Sequence, residues 1–352
     1  MSNNLKIATV AAAAVVVLLV ASFIGFSSNK GDSLGFTVEE IDGIPHITIT
    51  ADYGFDDYLE TGSCDLEEFY DYIQDNVTDG KRIPGINPIS CSAFTITKED
   101  SNAPYAGRNF DFRYSEPGII HTNPNNGYSS MSTVDLRMFG ETGATISDMK
   151  KDIRYLSTPY IPLDGINEKG VFVCVNMVHI NQTVQEDVEG NVHIFMTSML
   201  RVILDNAAST EEAIELASHY NMNTDINYHI FVVDSTGDSR VIEVVDNVRY
   251  VTPTDIVTNH YITEFGPPVP ETDNSLLRYD TIAESMEGKD SMSELEVKST
   301  MMSVMQDDPD HIHFTRWTVI YDLEDLVAVI WICQPMDETG TMDYDTPHRY
   351  AL

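Results

Sequence analysis

Apolar positions along this chain follow three rhythms. The first is an unbroken run, Ile7 to Phe26, of apolar and small residues with Lys6 before it and Lys30 and Asp32 after it. At about 1.5 Å per residue it spans roughly 30 Å, the thickness of a bilayer core. It reads as a signal peptide or signal anchor over residues 1–30. The run ends in Phe23-Ile24-Gly25-Phe26 without a small-x-small cleavage site, which favours the uncleaved anchor. The second rhythm is alternation or short apolar runs of strand length, and the third is helical spacing. Ile44–Ile49 alternates like a strand. Asp65–Asn76 places Leu66, Phe69, Tyr70 and Ile73 on one helical face. Directly after the apolar run, residues 27–35 are small and polar, a linker. Pro84, Gly85 and Pro88 break the chain just before Cys91.

From Cys91 onward strands and helices come in groups. Cys91–Thr97, Tyr105–Phe112 and Gly170–Val178 read as strands. Ser198–Asn206 and Thr210–Tyr220 read as helices, the second opened by a capping box from Ser209 and Glu212. Tyr228–Asp234 and Arg240–Val245 form one hairpin, Trp317–Leu323 and Val327–Cys333 another, with a helical stretch near 275–287 between them. Grouped strands and grouped helices predict an α+β protein. The strands 171–178 and 327–333 are apolar on both faces, which predicts sheets covered on both sides, two sheets sandwiched between helix layers.

Charge narrows the partners. The chain holds 56 acidic and 20 basic residues in 352, a formal net charge of -36, spread along its length. Such a surface repels phosphate backbones and anionic lipid, so nucleic acid is not an expected partner. The four cysteines, Cys64, Cys91, Cys174 and Cys333, have no zinc-site spacing. Neither a metal nor a cofactor is expected. Cys174 and Cys333 sit in apolar runs and read as inert buried thiols. His121, His179 and His229 share no spacing that suggests a site and read as structural.

Five segments occur in order: Cys91-Ser92-Ala93-Phe94, Gly107-Arg108-Asn109-Phe110-Asp111, Gly165-Ile166-Asn167-Glu168-Lys169-Gly170, Thr258-Asn259, and Thr315-Arg316-Trp317-Thr318-Val319-Ile320-Tyr321-Asp322-Leu323. Together they resemble the choloylglycine hydrolase family of bile salt hydrolases, penicillin V acylases and acid ceramidase-like enzymes. The resemblance implies the four-layer αββα sandwich of the N-terminal-nucleophile (Ntn) hydrolases over residues 91–352, preceded by the membrane or signal segment and a pro-segment, residues 31–90. It implies hydrolysis of a linear, non-peptide amide with Cys91 as nucleophile. Arg108 and Asp111 would lie beside the thiol. The backbone N–H of Asn176 and the side chain of Asn259 would form the oxyanion hole, and Arg316 would complete the set. Ninety residues precede Cys91, more than is usual in the family. The acid ceramidase-like members carry such a segment, cut at the Cys, which implies a cut at Ser90–Cys91 and leaves open a disulfide from Cys64 to the core. Asn at position 176 leans towards conjugated bile acids. Penicillin V and fatty N-acyl amides remain open, as does acyl transfer on the same scaffold. A homo-oligomer is also implied, as is a catalytic domain on the extracytoplasmic side, secreted or held to the membrane through residues 7–26.

The chemistry is coherent. A free α-amine has a pKa of about 7.7–8.0 and accepts a proton at neutral pH, so an N-terminal Cys carries nucleophile and base in one residue. Arg108 and Arg316 would favour the thiolate, Asp111 would orient the amine, and two donors would hold the oxyanion. The same residues have plainer readings: Cys91 as a core strand cysteine, Arg108 and Asp111 as an ion pair, Asn176 as a satisfied buried amide. A chain that is never cut would be a membrane-anchored binding protein instead.

Overall fold

The strand Ser90–Thr97 faces two interiors at once. Cys91 and Ala93 join one apolar core, and Phe94 and Ile96 join another. Period-two alternation with both faces buried requires cover above and below the sheet. The computed structural model describes residues 34–352 other than 86–89, 113, 179–181, 270–273, 308–313 and 334–346. In it, a six-stranded sheet runs in the order Ile256–Val257, Ser90–Thr97, Pro104–Asp111, Thr315–Asp322, Val327–Ile332, His348–Ala351, each pair antiparallel. One face packs on helices Asn274–Met286 and Glu294–Ser303. Gly107 allows that approach, because a Cβ there would lie 3.1 Å from Met301 Sδ.

The other face meets a nine-stranded sheet. Its order is Phe36–Ile41, Ile44–Ile49, Pro117–Thr122, Ser130–Asp135, Asp164–Asn167, Phe172–Met177, Tyr228–Val233, Ser239–Val245, Val248–Pro253. Helices Met199–Asn206 and Thr210–Ser218 pack against this sheet. The architecture is therefore α+β, with two large sheets between helices, as the sequence pattern predicts. A small sheet of Val192–Phe195, Tyr220–Thr224 and Val184–Gln185 completes the strands among the described residues.

The described residues before Cys91 belong to the body. Leu34–Leu352 form one compact unit, and Ile44–Ile49 pairs in parallel with Pro117–Thr122. Helix Leu66–Asn76, capped by Asp65 Oδ1 accepting from Glu68 N at 2.9 Å, buries Phe69, Tyr70, Tyr72 and Ile73. Phe69 stacks on Phe195 at 4.8 Å between centroids.

Several boundaries differ from expectation. The helix expected over Thr210–Tyr220 stops at Ser218, because Tyr220 opens a strand beside Val192–Phe195. The strand expected over Tyr105–Phe112 runs Pro104–Asp111. No disulfide ties Cys64 to the core: it is exposed at the entry to helix Leu66–Asn76, the other three cysteines are buried, and all four are free. The apolar run 7–26 and His179 lie outside the described residues. Among those described, no helix is long and apolar enough to cross a membrane.

Candidate active site

The site is assembled at the start of the Ser90–Thr97 strand. Antiparallel pairing puts Cys91 opposite Phe110, with Arg108 on the same face of the neighbouring strand. Arg108 crosses the space between the sheets. Its Nη2 donates to Cys91 Sγ at 3.0 Å and to the Val175 carbonyl at 2.7 Å, while Nη1 pairs with Asp164. Tyr321 donates its hydroxyl to the other oxygen of Asp164. All of these side chains are buried. A buried guanidinium needs a compensating anion, and Asp164 supplies it. Burial works against the charge of Arg108, but Cys91 and Asp164 outweigh it and push its pKa up.

The thiol itself has no exposed surface. Burial pushes its pKa up to about 11, against the downward pull of Arg108. In the uncut chain Cys91 is therefore a thiol at neutral pH.

Asn259 stands on the other side of Cys91. Its Oδ1 accepts from Cys91 N at 3.3 Å and from Arg278 Nη2 at 2.6 Å, and its Nδ2 donates to the Met177 carbonyl at 2.6 Å. Asn176 precedes Met177 at the end of its strand, opposite His229. Its Nδ2 reaches the Val257 carbonyl at 3.5 Å. Both asparagines are thus tied to the edges that flank Cys91.

Asp111 is fully buried. It accepts from Gln306 Nε2 at 2.7 Å and Thr315 Oγ1 at 2.6 Å, and lies 3.9 Å from Arg278 Nη1. Burial raises its pKa, against Arg278, Gln306 and Thr315.

The second cation beside Cys91 is Arg278, which sequence reasoning did not single out. From helix Asn274–Met286 its Nη1 donates to the Cys91 carbonyl at 3.0 Å and to Ser92 Oγ. Arg316, expected in that place, goes elsewhere. A register shift lies between Thr315 and Trp317, and Arg316 Nε donates to the Phe112 carbonyl at 2.8 Å. Its guanidinium lies over the rings of Phe314 and Tyr114, and burial lowers its pKa. The bulge turns the side chain away from the inter-sheet space that its strand neighbours Trp317 and Val319 fill. One sequence signal for Arg278 existed: an Arg one turn into a helix that follows Thr258-Asn259, in an otherwise acidic chain.

His229 forms a pair with Glu243, Nδ1 to Oε1 at 2.6 Å, with no exposure of either. Burial pushes Glu243 up, but His229 and the backbone N–H groups of Ile262 and Thr263, each at 2.7 Å, outweigh it and leave its pKa lowered. His229 and His121 thus stand outside the set around Cys91. His121 Nε2 lies 3.0 Å from His46 Nδ1.

Residues 153–345, just over half the chain, match the family model of the acyl-coenzyme A:6-aminopenicillanic acid acyl-transferases. The chain belongs to this acyl-transferase family. The match holds Asn176, Asn259, Arg278 and Arg316, while Cys91, Arg108 and Asp111 precede it. Among solved structures, a variant of the conjugated bile acid hydrolase from Clostridium perfringens is similar at 17% identity and a TM-score of 0.52, over 74% of this chain and 97% of that one. A second mutant of the same enzyme gives 0.50 over the same shares. The penicillin V acylase from Agrobacterium tumefaciens gives 0.47 at 17% identity, over 72% and 85%. No curated protein matches by sequence. The fold of this acyl-transferase family member is that of the Ntn hydrolases, and the family is one of enzymes.

Proposed function

We propose that the chain hydrolyses the carbon–nitrogen bond of a linear N-acyl amide, with Cys91 as an N-terminal nucleophile freed by self-cleavage between Ser90 and Cys91. The observation that carries this reading is the placing of Cys91: Sγ 3.0 Å from Arg108 Nη2, N–H on Asn259, carbonyl on Arg278. A core cysteine has no need of a guanidinium at its sulfur.

In the uncut chain the sulfur attacks the carbonyl carbon of Ser90, the carbon–nitrogen bond breaks, and the Cys91 nitrogen leaves as an amine. Water hydrolyses the resulting thioester, releasing the Ser90 carboxylate and the thiol. The freed α-amine then takes the thiol proton, the sulfur attacks the amide carbonyl, and a tetrahedral oxyanion forms. The Asn259 side chain and Asn176 N–H are the donors assigned to it, each worth about 10²–10³ in rate. The amine product leaves with the proton, and water releases the acid from the thioester. Arg108 holds the thiolate, and Asp111 acts through Arg278, Gln306 and Thr315.

A conjugated bile acid is the first substrate to test, with penicillin V and fatty N-acyl amides beside it. The family name supports a second reading, in which an amine replaces water as acyl acceptor. We place the catalytic part, residues 91–352, outside the cytoplasm, tethered through residues 7–26 until cut, with residues 31–90 as its pro-segment and with self-association into a homo-oligomer.

The test uses residues 33–352 and its Cys91→Ala variant. Intact mass and N-terminal sequencing should show wild type starting at Cys91 and the variant uncut. Both proteins are then assayed on the three amides, with and without an added amine acceptor. Wild type that stays whole and inactive, under the same conditions, would sink the proposal and leave an anchored binding protein.

A further inference from the structure

We infer that Ser275, clasped by His260 and Thr258, is a positioning residue that holds Asn259 and Arg278 as one unit beside Cys91. The inference rests on the amidase reading above and deepens it.

Ser275, Arg278 and Tyr279 stand at i, i+3 and i+4 of helix Asn274–Met286, so they share one face. That face addresses three consecutive residues, Thr258, Asn259 and His260. Arg278 Nη2 holds the Asn259 side chain at 2.6 Å, and Ser275 Oγ accepts the Asn259 backbone N–H at 2.7 Å. Tyr279 meets the His260 ring edge-on, with centroids 5.4 Å apart. One helix thereby grips Asn259 by both its main chain and its side chain.

The hydroxyl bookkeeping explains why His260 belongs to the clasp. Ser275 Oγ has one proton to give and two lone pairs, and one lone pair is taken by Asn259 N–H. It lies 2.9 Å from both His260 Nδ1 and Thr258 Oγ1. Thr258 spends its own proton on the Ser275 carbonyl at 3.0 Å, so it can only accept from the others. His260 Nδ1 lies 3.0 Å from that same Thr258 oxygen. In either tautomer of His260 every hydroxyl proton in the triangle has an acceptor. Thr258 and Ser275 have no exposed surface, and His260 has 8%. A buried triangle at the first turn of the helix fixes where the helix begins relative to Asn259, and hence where Arg278 points. Geometry held this tightly matters to rate, because a small misplacement of a catalytic donor costs far more than binding does.

The experiment compares Ser275→Ala, Ser275→Thr and His260→Phe with wild type, using Asp280→Ala at an exposed position of the same helix as control. Self-cleavage rate, kcat and KM are measured on whichever amide wild type cuts. Hydrogen exchange at the Asn259 amide is followed by mass spectrometry in the Cys91→Ala background. Ser275→Ala should lower kcat and self-cleavage about 10- to 100-fold with KM within about twofold, and Asn259 should exchange at least tenfold faster. Ser275→Thr, which keeps the hydroxyl, should restore most of the rate. His260→Phe keeps the packing on Tyr279 and should fall between them. Wild-type kcat and unchanged Asn259 exchange in Ser275→Ala would overturn the clasp and leave the nucleophile untouched. Should wild type cut no amide at all, the amidase reading fails by itself, and the exchange rate alone decides the clasp.

Discussion

Replacing Arg278 by Lys isolates geometry from charge. The guanidinium serves several acceptors at once: Nη1 reaches the Cys91 carbonyl and Ser92 Oγ, Nη2 reaches Asn259 Oδ1, and Nε reaches Asn274 Oδ1 at 3.2 Å. It is 3% exposed, so water does not replace a lost bond. A lysine ammonium is a point charge at the end of a flexible stem and cannot reproduce the planar fork. At least two of these acceptors should lose their charged donor. Each such bond is worth about 1.5–3 kcal/mol, so the variant should be less stable by roughly 3 kcal/mol. Asn259 would keep Met177 as acceptor but lose the bond that orients its oxygen towards Cys91 N, and self-cleavage and turnover should fall about 10²-fold. Urea unfolding followed by tryptophan fluorescence gives the stability, and timed intact-mass measurements give the cleavage rate. A variant within about 0.5 kcal/mol of wild type that is cut at the normal rate would show that only the positive charge of Arg278 counts.

Asp164→Asn removes the anion that balances Arg108, and should cost about 3 kcal/mol or more together with most of the self-cleavage; an unchanged melting profile would refute the buried pair as a structural necessity. Gly170→Ala places a Cβ 2.5 Å from the Leu323 carbonyl at a φ of +75°, and should cost about 2 kcal/mol or more. Gly288→Ala, at a φ of +73° with open space around it, should cost less, and equal costs by urea midpoint would contradict the packing argument. Burial, with His121 second, pushes the pKa of His46 down to about 4. Against about 6.5 unfolded, the native state binds fewer protons between these values, so stability should fall as pH drops from 6.5 to 4. Allowing for screening, the loss is about 1–2 kcal/mol, and a His46→Leu variant with the same acid sensitivity would rule His46 out as its source.

The strands around the site were legible because their apolar residues have nowhere polar to face: Phe172–Met177 and Val327–Ile332 read as covered on both sides, and both have a partner strand on each edge. The juxtaposition of Cys91 with Arg108 follows from hairpin pairing of neighbouring strands, which local sequence encodes. Arg278 was not legible in the same way, since it is brought 187 residues along the chain to the Cys91 carbonyl by helix-on-sheet packing. Arg316 misled for a related reason: a one-residue register shift changes the face a side chain takes, and nothing in Thr315-Arg316-Trp317 announces it. Helix Glu294–Ser303 escaped notice although Ser293 and Glu296 form a capping box, because Leu295, Val297 and Met301 do not line one stripe. The strands Pro117–Thr122 and Ser130–Asp135 were hidden by their content of Ser, Thr, Gly and His, which leaves them without an apolar signature.

The parallel pairing of Ile44–Ile49 with Pro117–Thr122 joins chain on either side of the bond before Cys91. Breaking that bond, inside the strand Ser90–Thr97, would turn one molecule into a complex of two polypeptides still joined by the pairing of Ile44–Ile49 with Pro117–Thr122. Folding of the precursor is a first-order event, in which the leading strands are always at hand for the sheet they complete. Refolding of the cut form would be second order, dependent on the concentration of both pieces. Denatured precursor should therefore recover equally well at any dilution, whereas denatured cut protein should recover less as it is diluted. The cut would thus make assembly a step that the chain carries out efficiently only once.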